Sequence, residues 1–184
     1  MVSRFKLHQI AKIIRQQGVI AYPTESVYGL GCDPLSQKAV ERILQLKQRP
    51  VEKGLIIIAA NLKQLLPYID ISDAETRQIE AYKKPMTWLV KKSELTPAWV
   101  TGNHSKVAIR ICQHPQVIEI CNLLQHPIVS TSANPAGATP ANSALKAMQY
   151  FSDRVDSYIF GSTGKLNKPT PITDLQSSSI IRNG

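Results

Sequence analysis

Two basic residues bracket the end of a predicted helix in the segment KQRPVEKGLIIIAA, residues 47–60. Pro50 disfavours helical geometry at the residue before it, so the helix should end here and Lys47 and Arg49 should converge on one point. Converging cations suit a polyanion such as a triphosphate, because arginine offers a planar fork and lysine a point charge. The alternative is a solvated helix end, where the helix dipole favours basic residues.

A second polar group lies at the end of a later predicted strand. Ser130, Ser132 and Asn134 alternate along the chain, so in extended geometry their side chains face the same side. Pro135 favours an extended conformation at the residue before it. Such a comb of hydroxyl and amide groups can bind phosphate or ribose oxygens. A hydrogen-bonded strand end followed by a turn explains the same residues equally well.

Arg110 occupies the middle of an apolar predicted strand, residues 107–112, in which Arg110 and the branched residues face opposite sides. Arginine is rare inside a sheet unless that face borders a cavity or the arginine is paired. Arg110 is therefore predicted either to bind a carboxylate ligand or to pair with Asp or Glu. We favour the ligand, because the chain has only 13 acidic residues. Arg182, near the end of the chain, is by itself typical of a solvated charge.

The composition is that of a globular chain with an excess of positive charge. Of its 184 residues, 43% are hydrophobic and 19% charged, which predicts one domain over residues 1–184 and excludes a disordered or fibrous chain. The net charge of +9 predicts partners that carry phosphate, either nucleotides or nucleic acid. Three cysteines without a CxxC pair indicate the reducing cytoplasm. No apolar run approaches the ~20 residues that span a bilayer, so no membrane contact is expected.

Helical and strand patterns alternate along the chain. Predicted helices begin at cap residues such as Ser36, Asn142 and the capping box of Ser72 and Glu75. A polar loop at residues 23–26, leading into two glycines, is predicted to be a ligand-binding loop. The alternation predicts a single-domain α/β fold with a twisted, mixed-direction sheet and flanking helices. Predicted strands cover residues 19–22, 55–60, 86–90, 107–112, 127–132, 158–160, 172–175 and 179–182.

Several common signatures are absent from the sequence. It contains neither GxGxxG nor GxxxxGK[ST], which argues against a dinucleotide-binding fold and a Walker-type NTPase. The GxSxG and HExxH motifs of hydrolases are also missing. Four scattered histidines argue against a metal cage, so no metal-ligating residue is expected. A bound nucleotide must therefore be held by another arrangement.

Four segments match one family in the same order along the chain. They are YPTES at 22–26, LKQRPVEKGLIIIA at 46–59, VAIRICQHP at 107–115 and STSANPAG at 130–137. Together they resemble the YrdC family in its short bacterial form, over essentially the whole chain. Each signature is weak alone, whereas four ordered matches are specific. The resemblance implies an open α/β fold around a positively charged cavity.

The resemblance also implies an activity, that of a nucleotidyltransferase. The family is known as threonylcarbamoyl-AMP synthase and joins L-threonine, bicarbonate or CO2, and ATP with Mg²⁺, releasing pyrophosphate. Its product serves N6-threonylcarbamoyladenosine formation at position 37 of tRNAs that read ANN codons. A separate tRNA threonylcarbamoyl-transferase complex is the implied partner, and direct contact with RNA is a further expectation.

Residue roles carried over from the matching motifs are of three kinds. Lys47 and Arg49 are implied to be catalytic. The residues implied to bind ATP are Lys47, Arg49, Lys53, Ser132, Asn134 and Arg182. The residues implied to bind threonine are Thr24, Arg110 and Thr170.

The sequence departs from the family pattern in two places. Residues 83–87 read KKPMT where PGPxT is usual, and Lys106 stands where a small hydroxyl residue is common.

A competing hypothesis of another class is a non-enzymatic module that binds double-stranded RNA or tRNA, for which the net charge is the evidence. Proteins that bind nucleic-acid bases usually interleave aromatic residues with cations, and the aromatic content here is only 6%. The enzyme is therefore the favoured hypothesis.

Overall fold

A computed structural model describes residues 2–164, 166 and 168–183 of the chain. The ends of the predicted domain 1–184, together with residues 165 and 167, lie outside the described residues. Among those described, no helix has the length and apolar content needed to cross a bilayer. The α-helices are α1 (Arg4–Arg15), α2 (Gln37–Lys47), α3 (Asp73–Ala81), α4 (Ala98–Thr101), α5 (Pro115–Leu124) and α6 (Ala144–Phe151). Short 3-10 turns cover Val51–Lys53, Leu62–Gln64, Leu66–Tyr68 and Ser152–Arg154.

The strands are β1 (Ile20–Pro23), β2 (Tyr28–Gly31), β3 (Ile56–Ala59), β4 (Thr87–Lys91), β5 (Lys106–Ile111), β6 (Ile128–Ser132), β7 (Ser157–Tyr158), β8 (Ile172–Asp174) and β9 (Ile180–Arg182). In the described part of the chain they form one sheet in the order β7-β1-β2-β6-β3-β5-β4-β8-β9. The pairs β1–β7, β3–β5 and β4–β8 are parallel, and the other neighbours are antiparallel. The predicted mixed-direction α/β sheet is confirmed.

Helices cover both faces of the sheet, because each face presents apolar side chains. On one face α1 and α5 pack together, with Ile10 and Ile120 in the same buried cluster as Ile58 of β3. On the other face, α2, α3, α4 and α6 contribute to a larger core. β5 divides its residues between the two sides, since Val107 and Ile109 belong to the larger core and Arg110 does not. This is the alternation that the sequence predicts.

Cap residues place most helix starts where they are predicted. Ser36 caps α2, and Ser72 and Glu75 form the predicted capping box of α3. The predicted cap at Asn142 is wrong, because Ser143 provides the side-chain oxygen that caps α6. The error is one residue and leaves the helix in place.

β2, with the sequence YGLG, is the strand that the sequence prediction misses, because its two glycines suggest a loop. In the sheet the ring of Tyr22 lies against both. A Cβ on Gly31 would lie 2.5 Å from the carbonyl oxygen of Val129 and 2.7 Å from that ring, and a Cβ on Gly29 would lie 3.2 Å from it. The glycines therefore make room for a buried aromatic ring and a neighbouring strand.

Candidate active site

A cavity of about 610 Å³ opens on the face of the sheet that also carries α1 and α5. Its floor is apolar, with Ile56 of β3, Ala108 of β5 and Leu89 of β4 side by side in neighbouring strands. Its rim is polar. It consists of residues at the end of β6 and at the starts of β3 and β5, among them Ser132, Ser105 and Lys106. An apolar floor with a few convergent polar groups is the usual form of a ligand site.

Basic side chains dominate the charge of this lining. They are Arg49, Lys53, Lys106, Arg110 and Arg182. Among the lining residues that the structure describes there is no carboxylate. Several like charges around one volume attract anions into it, which supports the predicted positive cavity.

Arg49 is fixed at the rim by backbone carbonyl groups. Its Nη2 donates to the carbonyl oxygens of Lys53 at 3.1 Å and Gly54 at 2.9 Å. Its buried Nε has no protein partner within the described residues. Burial, with a smaller effect from the charge of Arg182, lowers the pKa of Arg49. The guanidinium is thus held in place with an unused donor, which a ligand oxygen would satisfy.

Lys47 lies beside the cavity and is not part of its lining. α2 ends at Lys47 as predicted, and Gln48 follows in a left-handed conformation with φ 49°. The buried Nζ donates to the carbonyl oxygen of Ser132, to that of Asn134 at 2.8 Å and to Asn134 Oδ1 at 3.3 Å. Burial, and then the charge of Arg49, lower the pKa of Lys47 to about 8. The two cations therefore bind different carbonyl groups, contrary to the predicted convergence, and contact between Lys47 and ATP stays a prediction.

The predicted comb of polar groups holds for its first two members. Ser130 and Ser132 both line the cavity. The chain then turns, since the backbone N–H of Asn134 donates to the carbonyl oxygen of Ser132 at 3.0 Å. The Asn134 amide donates to the carbonyl oxygen of Ala138 at 2.6 Å and lies outside the lining. The common face predicted for the three residues therefore ends at Ser132, and contact between Asn134 and ATP stays a prediction.

Arg110 lines the cavity from a buried position in β5. Its Nη2 lies 3.5 Å from Glu25 Oε2, so the pair with an acid, the less favoured alternative, is present. Its Nη1 donates to Thr170 Oγ1 at 3.1 Å, and Thr170 and Thr87 share a hydroxyl hydrogen bond of 2.9 Å. Arg182 Nη2 donates to the carbonyl oxygen of Thr170 at 2.8 Å. Thr170 thereby connects two arginines from remote parts of the chain.

Glu25 is buried behind Arg110. Its Oε1 accepts hydrogen bonds from the backbone N–H of Gln113 at 2.7 Å and from Cys112 Sγ at 3.0 Å. Burial raises the pKa of Glu25. The charge of Arg110 and these hydrogen bonds lower it by a larger amount, so the pKa of Glu25 lies below its ordinary value. The ionised carboxylate forms an ion pair with Arg110, and within the described chain neither Glu25 Oε2 nor Arg110 Nε has a hydrogen-bond partner.

The remaining predicted residues, Thr24 and Lys53, also face this cavity. Thr24 is buried and donates its hydroxyl to the carbonyl oxygen of Val27 at 2.7 Å. Lys53 is exposed at the end of the 51–53 turn. The predicted site residues that line the cavity are Thr24, Arg49, Lys53, Arg110, Ser132, Thr170 and Arg182.

Three residues of this region were not predicted as site residues. Glu25 lies inside the YPTES motif, and Thr87 lies inside the segment 83–87 that differs from the family pattern. The sequence therefore draws attention to both residues, but no pattern in it reveals their hydrogen-bond or ion-pair partners. Lys106 is marked by the sequence only as a departure from the family pattern. In the structure it lines the cavity and pairs with Asp174 of β8.

Comparisons with known proteins agree with this architecture. A model of the Sua5, YciO and YrdC proteins, described as telomere recombination, matches residues 12–184. A threonylcarbamoyl-AMP synthase of Pseudomonas aeruginosa is 47% identical over 184 residues, which cover 99% of each chain.

Solved structures show the same fold. The structure of P. abyssi Sua5 complexed with L-threonine has a TM-score of 0.89 and 30% identity, and the match covers 95% of this chain and 52% of that one. The present chain thus spans about half of the Sua5 chain. E. coli YciO has a TM-score of 0.87 and 25% identity, covering 100% of this chain and 91% of that one. Because the family match extends over most of its length and a relative shares 47% of its residues, the chain belongs to the Sua5/YciO/YrdC family.

Proposed function

We propose that the protein is a threonylcarbamoyl-AMP synthase, a nucleotidyltransferase that forms threonylcarbamoyl-AMP and pyrophosphate from L-threonine, bicarbonate or CO2, and ATP. The observation that carries the proposal is one cavity that combines a buried arginine, Arg110, with cations at its rim, among them Arg49. The P. aeruginosa relative bears the name of this activity. P. abyssi Sua5 was solved in complex with L-threonine.

Threonine fits the end of the cavity that Arg110, Thr24 and Thr170 form. Arg110 has five N–H donors, so a substrate carboxylate can bind it beside Glu25. The Thr24 hydroxyl already donates its proton to Val27, which leaves its lone pairs to accept from the amine or hydroxyl of threonine. These groups recognise an amino acid by its carboxylate and its polar hydrogens.

ATP would bind at the rim with Mg²⁺ on its phosphates, as part of the substrate. Arg49, Lys53 and Arg182 supply positive charge for the phosphates, and Ser132 supplies a hydroxyl. Lys47 supports this arrangement by holding the turn that begins at Ser132. Within the described residues, no group of three or more His, Cys, Asp or Glu could hold a metal ion.

The reaction requires two anions to meet. The threonine amine adds to CO2 and loses a proton, which gives a carbamate. A carbamate oxygen then attacks the α-phosphorus of ATP, the bond to the bridging oxygen of the β-phosphate breaks, and pyrophosphate leaves. Because carbamates fall apart readily in water, a sheltered cavity that fixes both substrates favours the attack. Fixed guanidinium groups such as Arg49 stabilise the charge of the transition state.

The product is an activated donor for N6-threonylcarbamoyladenosine at position 37 of tRNAs that read ANN codons. A separate tRNA threonylcarbamoyl-transferase complex would consume it in the cytoplasm. Cys32, Cys112 and Cys121 are buried free thiols, which suits a reducing compartment. The net charge of +9 supports transient contact with RNA as well.

A non-enzymatic module for double-stranded RNA or tRNA would also explain the net charge. Such modules present their cations on an open surface that contacts the phosphates and 2′-hydroxyl groups of the RNA. Here the matching groups line a cavity, and Arg110 among them is buried. This arrangement favours the enzyme.

Release of pyrophosphate from ATP tests the proposal. The purified protein should release pyrophosphate only when threonine and bicarbonate are both present, because the carbamate is the nucleophile. Release that is independent of threonine, or no release with all three substrates, would contradict the proposed function.

Arg49→Ala should lower this rate about a hundredfold, because the loss of one charge-stabilising donor costs ~3 kcal/mol. Arg77→Ala, at an exposed position of α3 away from the cavity lining, is the matched control and should keep the wild-type rate. Circular dichroism should show the same fold for both variants. A near-normal rate for Arg49→Ala would remove its proposed role.

A further inference from the structure

Lys106 is a cation of the cavity wall to which the reaction described above assigns no task. It lies at the start of β5, two residues before Ala108 of the floor and four before Arg110, so the three side chains share the cavity face. Its side chain is 29% exposed. The family resemblance offers no role for a lysine here, because a small hydroxyl residue is common at this position.

The register of the sheet places Lys106 next to the backbone that holds Arg49. β3 and β5 are parallel, with Ile56 opposite Ala108. Gly54 lies two residues before Ile56, and Lys106 lies two residues before Ala108. Both line the cavity. The carbonyl oxygen of Gly54 is one of the two that accept hydrogen bonds from Arg49. Lys106 and Arg49 therefore border the same end of the cavity, the proposed phosphate end.

Distance along β5 agrees with this placement. Arg110 and Lys106 are four residues apart, which is about 13 Å at the usual rise of a strand. With threonine at Arg110, the carbamate and the α-phosphate would lie over the middle of the floor. In-line displacement sends the leaving group away from the nucleophile, and therefore towards Lys106.

Asp174 of β8 is the present partner of Lys106, whose ammonium group donates to Asp174 Oδ2. The carboxylate is 8% exposed, and its Oδ1 accepts the backbone N–H groups of Gln176 and Ser177, each at 3.1 Å. The hydrogen bond from Lys106 lowers the pKa of Asp174. The carboxylate is fixed by the turn after β8, whereas the lysine has a flexible stem that can rotate.

We infer that Lys106 is a further phosphate-binding residue, which exchanges Asp174 for the pyrophosphate part of ATP; this inference rests on the proposed function. Without nucleotide, Asp174 balances the charge of Lys106 beside Arg49 and Lys53. A phosphate oxygen offers a comparable charge-assisted hydrogen bond, and a polyanion interacts with all three cations. Because Asp174 competes for Lys106, it also promotes the departure of pyrophosphate.

Binding of inorganic pyrophosphate with Mg²⁺ to the full chain, measured by isothermal titration calorimetry, tests the inference without turnover. Lys106→Met should weaken binding about tenfold, through the loss of one hydrogen bond to a charged group. Asp174→Asn keeps an oxygen for the two N–H groups but removes the competing charge, so it should strengthen binding about threefold. A pair that only attaches β8 to β5 predicts that neither substitution changes the affinity.

Lys91→Met is the matched control, because Lys91 lies opposite Lys106 on β4 and pairs with exposed Asp70 outside the cavity lining. It should bind pyrophosphate like the wild type, and Lys106→Arg should restore most of the affinity. Thermal unfolding checks that each variant is folded.

Wild-type affinity in Lys106→Met, or weaker binding by Asp174→Asn, would overturn the inference. A different result would contradict the proposed function instead. That result is a wild-type protein that binds pyrophosphate but releases none from ATP in the presence of threonine and bicarbonate.

Discussion

Lys47 is a buried cation whose hydrogen-bond donors are used inside the protein. Its Nζ binds the carbonyl oxygens of Ser132 and Asn134 and the side-chain oxygen of Asn134. These bonds attach the end of α2 to the turn after β6, which presents Ser132 to the cavity. The proposed contribution of Lys47 therefore depends on an ammonium group with three donors.

We expect Lys47 to make stability depend on pH between about 8 and 10.5. Burial lowers its pKa in the folded protein from 10.5 to about 8. Over this range the unfolded chain holds a proton that the folded chain has lost, so this group makes the free energy of unfolding rise with pH. Urea unfolding should be measured for the wild type and for Lys47→Met at pH values near 7.5 and 10. The free energy of unfolding of the wild type, relative to that of Lys47→Met, should be larger at the higher pH.

The variant is its own control for other titrating groups, because it shares the tyrosines and the other lysines of the wild type. Subtraction of the two free energies removes their contribution. A difference that stays constant over the range would show that Lys47 keeps an ordinary pKa, and the tight enclosure described for it would be wrong.

At the scale of elements, the 51–53 turn shows how a short segment positions a charge. α4 packs against this turn, and Leu55 donates its backbone N–H to the carbonyl oxygen of Val100 at 2.8 Å. Gly102 ends α4 with φ +60°, where a Cβ would lie 2.7 Å from the carbonyl oxygen of Val51. The turn carries Lys53 at its end, so this close contact between two backbones sets where the cation lies.

Gly102→Ala should therefore destabilise the protein by about 3 kcal/mol, the sum of left-handed strain and of overpacking against a backbone. Gly137→Ala is the matched control, because Gly137 has φ +76° and a Cβ there would meet nothing within 4 Å. It should cost only the strain, about 1 kcal/mol. Urea unfolding measures both variants. Equal losses would show that the turn and α4 can move apart freely.

Local signals predict the helices well and some strands poorly. The capping box at Ser72 is a short-range pattern, and it is found where predicted. β2 was missed because the reason for its glycines is the ring of Tyr22 on another strand. The comb was extended too far because the turn at Asn134 is held by Lys47, which lies 87 residues away in the chain. Errors occur where a contact between distant residues decides the local geometry.

At the scale of the whole molecule, the cavity is assembled from segments at both ends of the chain. Thr170 bonds to Arg110, 60 residues earlier, and to Arg182. The family resemblance groups these three residues as parts of one site. Periodicity and spacing do not, and neither route reveals that Glu25 and Asp174 balance two of the cations. The charge balance of the site follows only from the packed structure.

The Glu25–Arg110 pair joins the loop after β1 to β5, and so connects two halves of the sheet across the floor of the site. Both side chains are 7% exposed. A buried pair adds little net stability when both partners are present, but removing one partner leaves an uncompensated charge in a medium that solvates it poorly. Removal of one partner of this pair should therefore destabilise the protein far more than removal of one partner of an exposed pair, even where the exposed pair has the shorter N–O distance.

Glu25→Gln should lower the free energy of unfolding by about 3 kcal/mol, because Arg110 then remains charged and buried without its carboxylate. Asp70→Asn is the matched control: Asp70 pairs with Lys91 on the surface, where solvent screens the charges, and its urea midpoint should stay near that of the wild type. Glu25→Gln should also raise the KM for threonine more than that for ATP, since it releases Arg110 from its orientation at the threonine end. Similar urea midpoints for the two variants would show that water reaches Arg110, and a threonine end built on a dry guanidinium would have to be abandoned.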